Sequence, residues 1–232
     1  MPDLTPDAEK SHQIKISLRA RLLTARRSFP VTDRLSAARQ LQDQILSLVR
    51  RTGARSIAAY VPVGSEPGGP DLPDRLLSAL PAGGRLLLPV LLPDNDLTWA
   101  EPTPPAAAPP TSTPAASAPP ASVVPAGGPS ASLVAGPRGL REPGGPRLGV
   151  EAVCSVDLLL VPALAVGNDG TRMGRGGGSY DRVLARLPEP GPLVVALLHD
   201  GEDIVSVPAE PHDRRVHAVI TPTGGLSRRP CP

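Results

Sequence analysis

The chain is predicted to be an α/β sandwich of three layers around a largely parallel sheet, and three features of the sequence predict it. Short apolar runs alternate along the chain with segments whose apolar residues recur every three to four positions. The run Val156-Asp157-Leu158-Leu159-Leu160-Val161-Pro162 is apolar on successive positions, as a strand covered on both faces must be. A loop rich in glycine and arginine follows it, at the end of a strand where α/β sheets usually hold their ligands.

The elements follow in order. Ile14, Leu18 and Leu22 recur at helical spacing and predict a first helix whose opposite face carries Arg19, Arg26 and Arg27. Thr32 is a candidate N-cap for a second helix with the stripe Leu35, Ala38, Leu41, Ile45 and Leu48, stopped by Gly53. A strand is expected over 56–63, a helix over 72–80, a strand over 85–92 and a short one over 97–101. Beyond the apolar run come a helix over 179–187, a strand over 193–199, a final strand over 217–221 and a tail from 223.

Residues 102–137 break this rhythm. The segment has no charged residue and is dominated by proline, alanine, serine and threonine. Such a composition cannot bury enough apolar surface to offset its ordering entropy, so a disordered insertion within a single domain spanning 1–222 is expected.

Composition narrows the function. At 232 residues and 40% hydrophobic content the chain can bury one core. A formal charge of +2, without a basic run interleaved with aromatics, argues against nucleic acid as a partner. The absence of an 18-residue apolar run argues against a membrane span. Two cysteines, Cys154 and Cys231, cannot build a zinc cluster, and a monomer in a reducing cytoplasm is the expectation. Only Lys10 and Lys15 are lysines among 24 basic residues, so Lys15 carries more signal than any single arginine.

The run Arg172-Met173-Gly174-Arg175-Gly176-Gly177-Gly178-Ser179-Tyr180-Asp181-Arg182 points to phosphate. Glycines let successive N–H groups face one anion, and the helix expected from Ser179 aims its positive end at the same place. Arg172 and Arg175 add mobile charge, and Asp181 is able to hold magnesium. The spacing matches neither GxxxxGK[ST] nor GxGxxG, so it is not one of the common nucleotide motifs.

Together with the preceding Val161-Pro162-Ala163-Leu164-Ala165-Val166, this segment resembles the signature of the 5-formyltetrahydrofolate cyclo-ligase family, also called methenyltetrahydrofolate synthetases. Three further pieces agree in order: Lys15-Ile16-Ser17-Leu18-Arg19, Tyr60-Val61-Pro62 through Glu66, and Pro211-His212-Asp213 through Val216. The resemblance implies the fold shared with sugar-phosphate isomerases and CoA transferases. It implies conversion of 5-formyltetrahydrofolate to 5,10-methenyltetrahydrofolate with ATP and magnesium, releasing ADP and phosphate.

By the same resemblance, Lys15, Arg19, Arg172, Met173, Gly174, Arg175, Gly176, Gly177, Gly178, Ser179 and Tyr180 would bind ATP. Val61, Glu66 and the stretch Arg175, Gly176, Gly177, Gly178 and Ser179 would contact folate. Lys15, Arg175 and Tyr180 would act in catalysis, and Asp181 and Asp213 would accompany magnesium. Phosphoryl transfer needs positioning and charge neutralisation rather than a covalent nucleophile, which suits a chain with no Ser-His-Asp or Cys-His arrangement.

Three departures from the family pattern stand out. Ser179-Tyr180 replaces an aromatic pair, Gly167-Asn168-Asp169 displaces an aspartate, and Pro67-Gly68-Gly69-Pro70 follows Glu66 in place of a regular strand end. Two other readings remain open at this level: a non-catalytic nucleotide-binding or regulatory protein that keeps the phosphate cradle, and an enzyme of the same fold acting on a phosphorylated sugar.

Overall fold

Apolar residues on successive positions form a strand only if each face has a layer to enter, and the run after Asp157 has both. The computed structural model describes residues 6–102, 131–210 and 213–230. Leu158 and Leu160 enter a layer with Leu41, Ile45 and Leu48, while Leu159 and Val161 enter the opposite one with Trp99, Val153, Val183 and Leu184. Each such fully buried side chain contributes about 1.5–3 kcal/mol relative to exposure.

The sheet has seven strands. In chain order they are β1 (Ser56–Ala58), β2 (Arg85–Leu91), β3 (Leu97–Ala100), β6 (Leu158–Pro162), β9 (Leu193–Leu197), β10 (Ala218–Thr221) and β11 (Gly225–Arg228). Two small hairpins stand apart: β4 (Leu133–Ala135) with β5 (Arg141–Pro143), and β7 (Ala165–Val166) with β8 (Arg172–Met173). Across the sheet the order is β11-β10-β9-β6-β1-β2-β3, parallel from β10 to β2 with an antiparallel strand at each edge.

Among the described residues there are four α-helices, α1 (Pro6–Ser28), α2 (Val31–Thr52), α3 (Leu72–Ala79) and α4 (Ser179–Ala185), the last three completing the layers. Helices α2 and α3 cover one face and α4 the other. The crossover from β1 to β2 runs through α3, and that from β6 to β9 through α4. The chain therefore leaves the adjacent β1–β6 pair in opposite directions, which opens a crevice beyond their carboxyl ends. The three-layer, mostly parallel fold is the one the sequence predicts.

Details differ from the sequence reading, each for a physical reason. Pro30, not Thr32, precedes α2, and the Thr32 hydroxyl turns to Asp33 Oδ1 at 3.1 Å. Leu35 is exposed, and the inward stripe begins at Ala37 and Ala38, the latter small enough for the Gly69 turn to approach the helix. The stop at Gly53 is as expected: at φ 67° its N–H closes on Val49 O. Strand β1 is shorter than 56–63 because the chain turns away after Ala59, whose N–H makes the last ladder bond, to Leu87 O.

The strand at 218–221 is not the last. The expected tail supplies β11, which pairs antiparallel with β10. Within the expected insertion, residues 103–130 lie outside the described residues, but the boundary at 137 needs correction. Ala131 is buried with its N–H on Asp74 Oδ1, and Leu133–Ala135 pairs with Arg141–Pro143. The buried Glu142 carboxylate accepts the Leu91 N–H at 2.9 Å and fixes this hairpin to β2.

Helix α1 packs differently from the others. Leu22, with the partly buried Leu18 and Leu23, rests on Leu164, Ala165, Met173 and Val207, at the hairpin beyond the sheet. Ile14, expected on the apolar stripe, is exposed, whereas Lys15 and Arg26 are buried. The inward face therefore reads Lys15, Arg19, Leu22, Arg26. No helix among the described residues is long and apolar enough to cross a membrane.

Candidate active site

The crevice beyond β1 and β6 is a cavity of about 610 Å³. Its lining joins parts far apart in sequence: Lys15, Arg19 and Arg26 from α1, Tyr60 through Glu66 after β1, the 138–141 turn, residues 172–181, and Glu210 with Asp213. Every site residue expected from the sequence is in this wall.

The glycine run sits at the mouth of β6 because Arg172 ties it there. Arg172 Nη1 donates to Pro162 O at 3.2 Å and Nη2 to Asp181 Oδ1 at 2.6 Å, so the buried guanidinium bridges strand, loop and α4. Gly176 at φ 99° and Gly178, which precedes α4, at φ 72° adopt a backbone that only glycine takes readily, and a Cβ on Gly174 would lie 2.8 Å from Arg172 Nη1. Arg19 Nε holds Gly174 O at 3.2 Å, which attaches the loop to α1. The peptide groups of 174–178 consequently border the cavity on a backbone pinned from both sides.

Tyr180 lies beneath Arg172, with the guanidinium 6.0 Å from the ring centroid. Its hydroxyl is shielded and meets no hydrogen-bond partner among the described residues. Burial, and secondarily the Glu66 charge, push its pKa far above the usual phenol range. The group therefore stays protonated, a hydrogen-bond donor.

Lys15 is also a buried cation. Its ammonium donates to Glu210 Oε2 at 2.8 Å and Asp213 Oδ2 at 2.5 Å, and Asp213 Oδ2 also accepts the Glu210 N–H. Arg26 forms a fork on Glu202 at 2.6 and 2.7 Å and reaches Ala163 O. These pairings explain how a helix carries charges on its inward face.

Glu66 occupies the turn after β1. Its Oε2 accepts the Val63 N–H at 2.9 Å, and Oε1 faces Arg175 Nη1 at 3.2 Å. The following Pro67-Gly68-Gly69-Pro70 segment is a firm turn against α2, where Gln42 Nε2 donates to Gly68 O and Asp71 Oδ1. The displaced carboxylate of Asp169 closes the β7–β8 connection by accepting the Thr171 N–H and hydroxyl, and the hydroxyl bond is the main cause of its lowered pKa.

A dedicated metal cage is absent: among the described residues no three of His, Cys, Asp and Glu converge. Magnesium held largely by substrate phosphates needs only one or two carboxylates. Asp181 fits that task, since it faces the cavity and gives only Oδ1 to Arg172. Asp213 is already engaged by Lys15.

Comparison with known proteins gives this cavity a family. Residues 11–222 match the family model described as the 5-formyltetrahydrofolate cyclo-ligase family. The chain belongs to that family. The 5-formyltetrahydrofolate cyclo-ligase of Mycolicibacterium smegmatis is 38% identical over 221 residues, covering 93% of this chain and 97% of the relative. The mitochondrial enzyme of that name from Arabidopsis thaliana matches 82 residues at 39% identity, 30% of this chain and 28% of the relative. The solved structure of Aquifex aeolicus 5,10-methenyltetrahydrofolate synthetase superposes with a TM-score of 0.66 over 94% of each chain at 22% identity. That of a Mycoplasma pneumoniae 5,10-methenyltetrahydrofolate synthetase gives 0.61, covering 90% of this chain and 98% of the other at 15% identity. These two bear on the fold.

In this cyclo-ligase family member, sequence reasoning missed Arg26, Glu202, Glu210 and the 138–141 turn. For Arg26 a signal existed. Lys15, Arg19, Leu22 and Arg26 share helical spacing, so one face carries the charges as well as the leucine. Nothing local marks Glu202 or Glu210 as their partners. His212, within the late element, lies outside the described residues.

Proposed function

We propose that the chain is an ATP-dependent 5-formyltetrahydrofolate cyclo-ligase that forms 5,10-methenyltetrahydrofolate and releases ADP and phosphate. The observation that carries this reading is the convergence, in one cavity, of a glycine backbone bordered by Arg19 and Arg172 with the hydrogen-bonding turn of Glu66. The first suits a triphosphate, and the second suits the N–H edge of a pterin.

The formyl oxygen of an N-formyl amide does not leave unaided. It takes the terminal phosphoryl group of ATP, the second folate nitrogen then attacks the formyl carbon and loses its proton, and phosphate departs with the oxygen. The N–H groups of Gly174 through Gly178, with Lys15, Arg19 and Arg172, hold the phosphates and stabilise charge on them. Tyr180 donates its hydroxyl proton as a hydrogen bond to a substrate oxygen. Arg175, largely exposed, exchanges its contact with Glu66 for the phosphoryl group, which releases Glu66 to accept from folate. Asp181 is the carboxylate for magnesium, whose contribution is neutralisation of phosphate charge.

The test is direct. Purified protein mixed with 5-formyltetrahydrofolate, ATP and magnesium is expected to develop the near-ultraviolet absorbance of the methenyl product, and to lose that ability without ATP or with a chelator. Folded protein that gives no product at any enzyme concentration sinks the reading.

A further inference from the structure

Two carbonyls flank Glu66 in the chain, and a buried ring grips each. Tyr60 Oη donates to Pro67 O at 2.6 Å, and His199 Nε2 lies 2.9 Å from Ser65 O. Tyr60 follows β1, and His199 follows β9, so the grips come from two places in the sheet. We propose that Tyr60 and His199 are positioning residues that hold the Glu66 carboxylate toward the cavity for folate.

The ring chemistry fits the task. Ser65 O can only accept, so Nε2 carries a proton toward it, and the buried Nδ1 meets no partner among the described residues. The imidazole is itself held in place. Its backbone N–H donates to Glu202 Oε2, that carboxylate takes the fork of Arg26, and Phe29 meets the ring edge-on with centroids 5.4 Å apart. On the other flank, burial and then the Glu66 charge raise the Tyr60 pKa well above the phenol range, so the hydroxyl remains a donor.

Apart from the Glu66 N–H on Val63 O and the Gln42 anchor on Gly68, the segment of Glu66 has few fixed points of its own. The turn contains Gly64, Gly68 and Gly69, all at positive φ, and no strand pairing continues past Ala59. With both neighbouring carbonyls fixed, the side chain keeps its bond to the Val63 N–H and its cavity-facing orientation. Without them the carboxylate has to be ordered by the substrate, and that cost appears as weaker folate binding.

The proposal rests on the reading that Glu66 contacts folate, and the test separates the two. Steady-state kinetics on Tyr60→Phe and His199→Leu are expected to show a folate KM raised on the order of five-fold each, with kcat and the ATP KM nearly unchanged. His199→Gln, whose amide reaches the Nε2 position, is expected to restore most of the loss. In a Glu66→Ala background, His199→Leu is expected to add nothing further to the folate KM. An unchanged folate KM in Glu66→Ala alone overturns the folate-contact reading and the positioning role with it. A raised KM there, with His199→Leu silent, additive to Glu66→Ala, or shifting the ATP KM equally, overturns the positioning role alone.

Discussion

Arg172 and Asp181 meet at 2.6 Å across the glycine run, so the loop that borders the cavity is closed by an ion pair between its two ends. The guanidinium is 2% exposed and the carboxylate 18%, so neither is well solvated. Asp181→Asn leaves a buried cation without its counter-charge and is expected to destabilise the fold by about 2–4 kcal/mol. Urea unfolding of the two proteins measures it, and an unchanged midpoint contradicts the pairing.

Lys15→Ala removes the cation shared by Glu210 and Asp213. The expected result is a raised ATP KM before any change in the folate KM, together with a lower Tm. Lys15→Arg is expected not to rescue, because a planar fork does not replace a compact ammonium in a closed site. Rescue by arginine would argue for simple charge neutralisation.

Ser179 faces the cavity, at the position where the resemblance read from the sequence implies an aromatic side chain. Ser179→Tyr is expected to lower the folate KM several-fold, about 1 kcal/mol, by adding a ring contact while leaving the backbone cradle intact. Loss of activity, or a shift confined to the ATP KM, would mean that a rearranged pocket already compensates for the serine.

Acid sensitivity follows from carboxylates outside the cavity, Asp96 and Asp157 together with Asp169 of the β7–β8 connection. The Asp96 pKa is lowered from 3.8 chiefly by its hydrogen bonds to Arg186, and the Asp157 pKa chiefly by the Ser56 hydroxyl and then the Arg55 and Ser56 N–H groups. A folded-state pKa below the unfolded one gives stability that is complete above the usual value and lost as pH falls through the depressed one. Stability is therefore expected to hold down to the ordinary carboxylate range and decline below about pH 4, less steeply in Asp96→Asn. Urea midpoints across pH measure the slope.

Deleting residues 131–136 is expected to lower Tm and activity together, because it removes the β4 strand beside the Leu140 and Arg141 wall of the cavity. A deletion confined to 108–125, where no charged or aromatic residue is lost, is expected to leave both nearly intact. Thermal melts and turnover of the two variants decide.

The strands at 85–91, 158–162 and 193–197 were legible because their apolar runs have no other use than burial on two faces. Gly53 was legible as a helix stop for a local reason, its left-handed φ. The inward face of α1 was not. Burying Lys15 or Arg26 is unfavourable until Glu210, Asp213 and Glu202 arrive, and those partners lie 176 to 198 residues away. The two-residue strands β7 and β8 and the edge strand β11 carry too few side chains to show a period. In the site, the glycine loop was readable from composition, whereas the grips on Ser65 and Pro67 involve backbone acceptors that sequence does not mark.

The long span between α1 and its partners also sets a timetable. A nascent chain emerging from the ribosome carries Lys15, Arg19 and Arg26 from the start, yet Lys15 finds its counter-charges only after residue 213 has appeared. Until then the first helix has three cations on the face it must later bury, and docking them early would be uphill. The central strands can pair without it. Docking of α1 with its charges paired therefore has to wait for residues 202–213, and the cavity wall that Lys15 anchors is incomplete before then.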